Sequence, residues 1–296
     1  MRPADLFRLL ILAAIWGGSY ALMRIVAPVF GGLGTAWFRI LLTGALLCVY
    51  AYAIGTALEW RRWWKHYLLI GTLNSALPFT LIAFAMKTLP ANYGAIINTL
   101  SPLFGAIFAF FMLNEAFGVR KFFGIVLGFV GVALLIRLGP VPVTPEVIIG
   151  ALACALATAC YGFVSVYTKK HTAKAPVLGL AAGALFIPGV LLTPFALRSM
   201  PTSMPSATVI VSALTLAIVC SGIAYLIYFR LIRDVGPTKA ISVTFLVPLF
   251  GVLWGVLFLH EVVTLTTLFG AAMILLGMAL VLGIGLSQLG AKLRVR

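Results

Sequence analysis

Residues Leu100 to Glu115 read LSPLFGAIFAFFMLNE and residues Leu246 to Glu261 read LVPLFGVLWGVLFLHE, so both stretches share the skeleton L-x-P-L-F-G-x7-L-x-E. The same shift of 146 positions superimposes four residues further along on four others: Phe123, Gly124, Gly131 and Ala133 on Phe269, Gly270, Gly277 and Ala279. The agreement indicates a duplicated chain. If each copy holds an odd number of apolar helices, the copies must lie in a bilayer with opposite orientation, as in many secondary transporters.

The composition excludes a soluble domain. Of the 296 residues, 63% are hydrophobic and 9% are charged, whereas soluble domains are roughly half apolar and a quarter charged. A transmembrane helix needs about 20 apolar residues. With that window the sequence predicts an all-α integral membrane protein with ten spans, near residues 6–27, 33–54, 66–86, 91–112, 119–138, 147–168, 177–197, 207–230, 238–259 and 264–286.

The distribution of positive charge predicts the topology. The formal net charge is +15, but the cations alternate with the spans instead of gathering on one face, which argues against nucleic acid as a partner. With the N-terminus in the cytoplasm, the inner segments hold 16 of the 21 Arg and Lys residues. The outer segments hold Lys87, Arg137 and Arg198, and Arg24 and Arg39 lie within spans. The positive-inside rule therefore predicts that both termini are cytoplasmic.

The duplication divides the chain into three parts. Residues 1–138 are predicted to form the first five-helix repeat, the proline-rich residues 139–146 an external linker, and residues 147–296 the second five-helix repeat. Pro102 and Pro248 occupy equivalent places, so they are predicted to kink spans four and nine symmetrically. The alternative is that they only improve packing. Glycines recur along spans five and ten, which predicts that these helices pack closely.

The sequence of the predicted spans gives little support for a function other than transport. No span carries paired acids, a His-x-x-His set or a Ser/His pairing at depth, which argues against an intramembrane enzyme. The four cysteines lie in apolar spans without paired spacing, so they are predicted to be packing residues, and neither metal nor cofactor is expected. No Asp or Glu lies mid-span, so ion coupling through a buried carboxylate is not expected. Glu115 and Glu261 precede spans five and ten and are predicted to cap those helices; for Glu115 a proton-carrying role is the alternative.

Several motifs resemble a known family. The run Ile15-Trp16-Gly17-Gly18-Ser19-Tyr20, Arg39 in span two, and the paired L-x-E-x8-G-x6-G signatures from Leu113 and Leu259 resemble the EamA domain of the drug/metabolite transporter superfamily. The resemblance covers nearly the whole chain. It implies a ten-helix inverted-repeat exporter of small metabolites, with amino-acid exporters the most similar in length and layout. The second copy departs from the first, because it reads Tyr161-Gly162-Phe163 where the first reads Trp16-Gly17-Gly18.

Polar and aromatic residues recur at equivalent mid-span positions. On spans three and eight they stand at i, i+4 and i+7, which predicts one helix face. A cluster of such residues at depth indicates a polar cavity near the midplane, although hydrogen bonding between helices is the alternative for each residue alone. The predicted substrate-binding residues are Trp16, Asn74, Ser75, Phe79, Asn98, Tyr161, Ser221, Tyr225, Tyr228 and Thr244.

Two readings remain for the intramembrane cations Arg24 and Arg39. Either their side chains snorkel to the outer headgroups, or one of them contacts a substrate carboxylate. An aromatic, amide-bearing cavity suits a zwitterion or a small polar organic molecule. The resulting hypothesis is a monomeric exporter of amino acids, working by alternating access in the bacterial inner membrane. The alternative is a sugar-phosphate or organic-anion exchanger, favoured if the two arginines face the cavity.

Overall fold

The computed structural model describes residues 2–236, 240 and 242–282, apart from the side chain of Ser199. Throughout these residues the regular structure is helical, and nine helices of ten residues or more are described. Their bounds are α1 Pro3–Ala53, α2 Trp60–Ala85, α3 Ala91–Leu113, α4 Val119–Leu138, α5 Pro145–His171, α6 Val177–Ala196, α7 Ala207–Val235, α8 Val243–Leu259 and α9 Leu265–Val281. Seven of them, α1 to α7, are long and apolar enough to cross a membrane, and α8 and α9 are shorter apolar helices.

The helix α1 contains the first two predicted spans. Two helical segments meet within it at Gly31, whose φ of 68° and ψ of 173° are not helical. The first two predicted spans, near residues 6–27 and 33–54, lie on either side of this residue. The predicted end of span ten after residue 282, the C-terminal tail and part of the connection before α8 lie outside the described residues.

Gly31 occupies a backbone region that is almost exclusive to glycine. The Gly31→Ala change is therefore expected to lower the free energy of unfolding by about 1–3 kcal/mol, although no atom obstructs the added methyl group. Thermal unfolding of the purified protein in detergent would measure the loss. The matched control is Gly118→Ala, because Gly118 is equally open but lies at φ −78°. Equal stability of the two variants would contradict the strain argument.

Two helices contain one wide turn each. A π-helical segment occupies Thr72–Ala76 in α2, and a second occupies Ile218–Ile223 in α7. Their first residues are 146 positions apart, the same shift that relates the two copies of the sequence motif. Such segments are rare and are often found at functional sites. They place Asn74 and Ser75 in one wide turn, and Cys220 and Ser221 in the other.

The two equivalent prolines differ in their local structure. In α3 the residues Asn98–Leu100 tighten into a 3-10 turn, and Pro102 follows directly in the next α-helical segment. In α8 the helix continues through Pro248 without such a turn. The symmetric kinks predicted from the sequence stay a prediction, and the described backbone is not symmetric at these two sites.

Glycines set the closest helix crossings. A Cβ atom placed on Gly17 of α1 would lie 2.7 Å from the backbone nitrogen of Gly251 in α8. One placed on Gly162 of α5 would lie 2.6 Å from the backbone nitrogen of Gly105 in α3. The helices α4 and α9 also meet at their glycines, since a Cβ atom on Gly124 would lie 2.7 Å from the carbonyl oxygen of its neighbour in α9. The predicted close packing of these last two helices is confirmed.

Candidate functional site

A cavity of about 330 Å³ lies between α1, α2, α3, α5, α7 and α8. Eight of the ten residues predicted to contact substrate line it: Trp16, Asn74, Phe79, Asn98, Tyr161, Tyr225, Tyr228 and Thr244. The sequence prediction missed further lining residues, which are Ser19, Tyr20, Met23, Ile82, Ser101, Ser165, Cys220 and Val247, and it assigned Pro102 only a role in kinking. Helical spacing could have found several of these, because Tyr20 and Met23 follow Trp16 at i+4 and i+7, and Ser165 follows Tyr161 at i+4.

The two predicted residues that do not line the cavity are Ser75 and Ser221, both of which are 1% exposed. The π segments explain the difference. The prediction assumed α-helical spacing, with Ser75 on the face of Phe79, whereas a π turn relates residues five apart. Asn74 therefore lines the cavity with Phe79, and Cys220 lines it with Tyr225. Cys220 was predicted to be a packing residue only.

Arg39 brings a buried positive charge to the cavity. The residue is 5% exposed, which does not fit a side chain that snorkels to the headgroups. Its Nε donates a hydrogen bond to the Ser221 hydroxyl at 2.7 Å, and its guanidinium carbon lies 3.9 Å from the centre of the Phe79 ring. In the part of the chain that the structure describes, no carboxylate forms an ion pair with it. A buried charge without a counterion is costly, so this guanidinium is suited to an anionic ligand.

Aromatic rings and amides form much of the remaining wall. The rings of Trp16 and Tyr228 pack with their centres 5.3 Å apart, and the Tyr225 side chain interacts with those of Asn74 and Ser75. The amide oxygen of Asn98 is buried and has no hydrogen-bond partner among the described residues. Because a buried acceptor without a donor carries a free-energy penalty, this oxygen favours a ligand that brings an N–H or O–H group.

Arg24 lies outside the cavity. Its guanidinium donates a hydrogen bond to the Leu89 carbonyl, and its Nε lies 3.8 Å from the Glu261 carboxylate. The two arginines that the sequence treated alike therefore have different surroundings. Only Arg39 is placed to meet a ligand in the cavity.

The two glutamates also differ from the sequence prediction. The Glu261 carboxylate accepts hydrogen bonds from the backbone nitrogens of Ala91 and Asn92, so it caps α3 instead of α9, where the Thr264 hydroxyl is the cap. The Glu115 carboxylate forms ion pairs with Lys169 at 3.1 Å and Lys121 at 3.8 Å, and α4 has no side-chain cap. Long-range packing, which sequence spacing does not report, decides both partners.

The described helices are apolar and surround a cavity lined by polar and aromatic side chains. This arrangement is typical of a membrane transporter. The family model described as the EamA-like transporter family matches it twice, over residues 5–137 and 148–283. The protein belongs to this family, and the resemblance seen in the sequence is confirmed.

Two relatives align with this chain over almost its whole length. The chain is 28% identical over 272 residues to the uncharacterized transporter YvbV of Bacillus subtilis strain 168, which spans 91% of this chain and 88% of that one. It is 28% identical over 283 residues to Protein PecM of Dickeya dadantii, and this alignment covers 95% of this chain and 93% of that one. A solved crystal structure with 20% identity superimposes with a TM-score of 0.64 over 95% of this chain and 96% of that one. At that identity the superposition shows the fold alone.

Proposed function

We propose that the protein exports α-amino acids from the cytoplasm by alternating access. The observation that carries the proposal is Arg39, a buried cation that faces the cavity without a carboxylate partner in the described chain. A substrate carboxylate would supply the missing negative charge. Hydrogen bonds between charged groups are shorter and stronger than neutral ones, and a guanidinium can hold both oxygens of a carboxylate.

The rest of the wall supports a zwitterion over a simple anion. The unpartnered amide oxygen of Asn98 can accept a hydrogen bond from a substrate ammonium group. The rings of Trp16, Tyr161 and Tyr228 add apolar area and π faces for the side chain and the ammonium group. A volume of about 330 Å³ falls at the small end of the range for ligand pockets, which suits a single small metabolite.

The second candidate is a sugar-phosphate or organic-anion exchanger. Arg39 favours an anion in this reading as well. However, Arg39 is the one cation among the described residues that line the cavity, and a phosphate carries up to two negative charges, for which proteins commonly use several basic groups. The apolar and aromatic wall also suits a sugar phosphate less well than an amino acid with an apolar side chain.

The proposed mechanism needs two inverted bundles. The nine helices supply ten segments if α1 is counted as two spans on either side of Gly31. The family match recurs once in each half of the chain, and the excess of Arg and Lys supports cytoplasmic termini. We propose that the two bundles rock about the cavity, as a monomer in the bacterial inner membrane, and that the linker at residues 139–146 lies outside. The lining residues that the structure describes include no carboxylate, which supports transport without ion binding by an acid inside the cavity.

The decisive experiment is an uptake panel in proteoliposomes. Amino acids with apolar side chains, sugar phosphates, dicarboxylates and lipophilic cations would be compared, with and without a pH gradient. We expect amino acids to be transported and lipophilic cations to be excluded, because the cavity carries a positive charge. Transport of sugar phosphates but not of amino acids would replace the proposed function with the second candidate.

Asn98 offers a direct test of zwitterion recognition. The Asn98→Leu change is expected to raise the apparent KM for an amino acid by roughly tenfold, because one hydrogen bond to a charged group contributes about 1.5–3 kcal/mol. The same variant should transport the deaminated carboxylic acid of equal size as the unchanged protein does. The matched control is Thr99→Val, since Thr99 is buried on the same turn, does not line the cavity, and bonds only its own helix. Equal losses for both substrates would contradict an ammonium contact at Asn98.

A further inference from the structure

The Glu261 carboxylate ties together three of the helices that enclose the cavity. Its Oε1 lies 2.6 Å from the backbone nitrogen of Ala91, and its Oε2 lies 3.0 Å from that of Asn92, both in the first turn of α3. Arg24 of α1 lies 3.8 Å from Oε1, and the Glu261 side chain is 8% exposed. Glu261 itself follows directly after α8, where its backbone nitrogen bonds the Gly255 carbonyl. We refer to Glu261, Arg24, Ala91 and Asn92 as the outer latch.

The outer latch stands just beyond the cavity wall. Arg24 is the neighbour of the lining residue Met23, and Asn98, which also lines the cavity, lies two turns after Ala91 on α3. The backbone N–H groups of a first helical turn have no partner within the helix. A carboxylate there forms charge-assisted hydrogen bonds and also meets the positive end of the helix dipole. The Glu261 carboxylate therefore joins α1, the first turn of α3 and the residues that follow α8.

Glu115 stands at the equivalent place in the duplicated sequence motif, 146 positions before Glu261. Its side chain is 40% exposed, and among the described residues it forms ion pairs with the ammonium groups of Lys169 and Lys121. Glu115 therefore provides a matched carboxylate for a control variant.

We propose that Glu261 is the gating residue that holds the outer end of the cavity closed. The proposal rests on the topology and the alternating access of the proposed function. It assigns Glu261 no contact with substrate. Glu261 acts through Arg24 of α1, the first turn of α3 and the end of α8, which it releases when the outer side opens.

The test measures from which side the cavity can be reached. In a variant whose four native cysteines are replaced, a single reporter cysteine is introduced by Ser165→Cys, because Ser165 lines the cavity. Its rate of reaction with a membrane-impermeant maleimide is measured in right-side-out and in inside-out vesicles. The Glu261→Gln change keeps the size of the side chain but removes its charge. We expect it to raise labelling from outside at least about tenfold and to lower labelling from inside.

The matched control is Glu115→Gln, which removes the equivalent charge and is expected to leave labelling from outside at the rate of the unchanged protein. Unaltered sidedness in a Glu261→Gln protein that elutes as a single species and unfolds cooperatively would overturn the proposal, as would faster labelling from the cytoplasmic side. If Glu261→Gln does not fold, Arg24→Gln in the same assay decides, with a smaller rise from outside expected and an unchanged rate overturning the proposal.

The same protein preparations distinguish a failure of this proposal from a failure of the proposed function. If the unchanged protein transports amino acids while labelling is insensitive to Glu261→Gln, the latch fails and the substrate assignment stands. If labelling shifts as expected while no amino acid is transported, the latch stands and the substrate assignment fails.

Discussion

Replacing Arg39 by methionine is expected to lower kcat/KM for a zwitterionic amino acid by roughly 10- to 100-fold, because a charge-assisted hydrogen bond contributes about 1.5–3 kcal/mol. Methionine keeps most of the apolar contact with Phe79 and removes the charge. Arg39→Lys keeps the charge but loses the fork of donors that reaches both Ser221 and a carboxylate. Its activity is therefore expected to lie between those of the methionine variant and the unchanged protein.

The measurement is uptake into proteoliposomes as a function of substrate concentration, with the amino acid compared to its carboxamide, which keeps the ammonium group and lacks the carboxylate. The loss should be confined to substrates with a free carboxylate. Arg137→Met is the matched control, since Arg137 is a second arginine on a membrane helix that does not line the cavity. A loss of equal size for the amino acid and its carboxamide would exclude a direct contact and leave Arg39 with a structural role.

The second large effect is expected at the two glycine crossings. Gly17→Ala and Gly162→Ala should each lower the free energy of unfolding by about 1–3 kcal/mol, the usual range for overpacking. The added Cβ atom of Gly17→Ala would meet the Gly251 nitrogen at 2.7 Å, and that of Gly162→Ala would meet the Gly105 nitrogen at 2.6 Å. Both obstacles are backbone atoms, which cannot rotate away, so the helices must separate.

Thermal unfolding in detergent, together with the yield of monodisperse protein, measures this loss. Gly222→Ala is the control within a membrane helix, because a Cβ atom there has its nearest neighbour at 3.6 Å, an ordinary contact. Since α1 with α8 and α5 with α3 are two of the crossings around the cavity, both glycine variants should also lose transport. A Gly17→Ala protein with unchanged unfolding midpoint would show that α1 and α8 have room to move apart.

Local sequence patterns predicted the helices well and their breaks less well. Apolar runs of about 20 residues mark spans regardless of their neighbours, so the helix positions in α2 to α7 agree with the prediction to within a few residues at most ends. The break within α1 is the non-helical conformation of one residue, Gly31, which composition does not reveal. The π segments depend on one additional residue in a turn, and helical periodicity cannot register it.

The candidate site, like the helices, could be predicted only in part from local sequence patterns. The aromatic and polar side chains that recur in both copies, such as Phe79 and Tyr225 or Asn98 and Thr244, do line one cavity, because a repeated polar residue in an apolar helix needs a polar neighbourhood. The separate environments of Arg24 and Arg39 could not be predicted, since both lie at similar depth within their spans. The partner of Glu261 could not be predicted either, because the first turn of α3 is 169 residues away in the chain.

The two π segments bear on the ancestry of the chain. A turn with an additional residue has poorer hydrogen-bond geometry than an α-helical turn and is uncommon, yet one occurs at the same place in each half. A five-span ancestral gene that already encoded the insertion would have passed it to both halves when they fused. Its later deletion from either half would rotate every following side chain of that helix by about 100°. Such a rotation would turn the residues of that helix that line the cavity away from it.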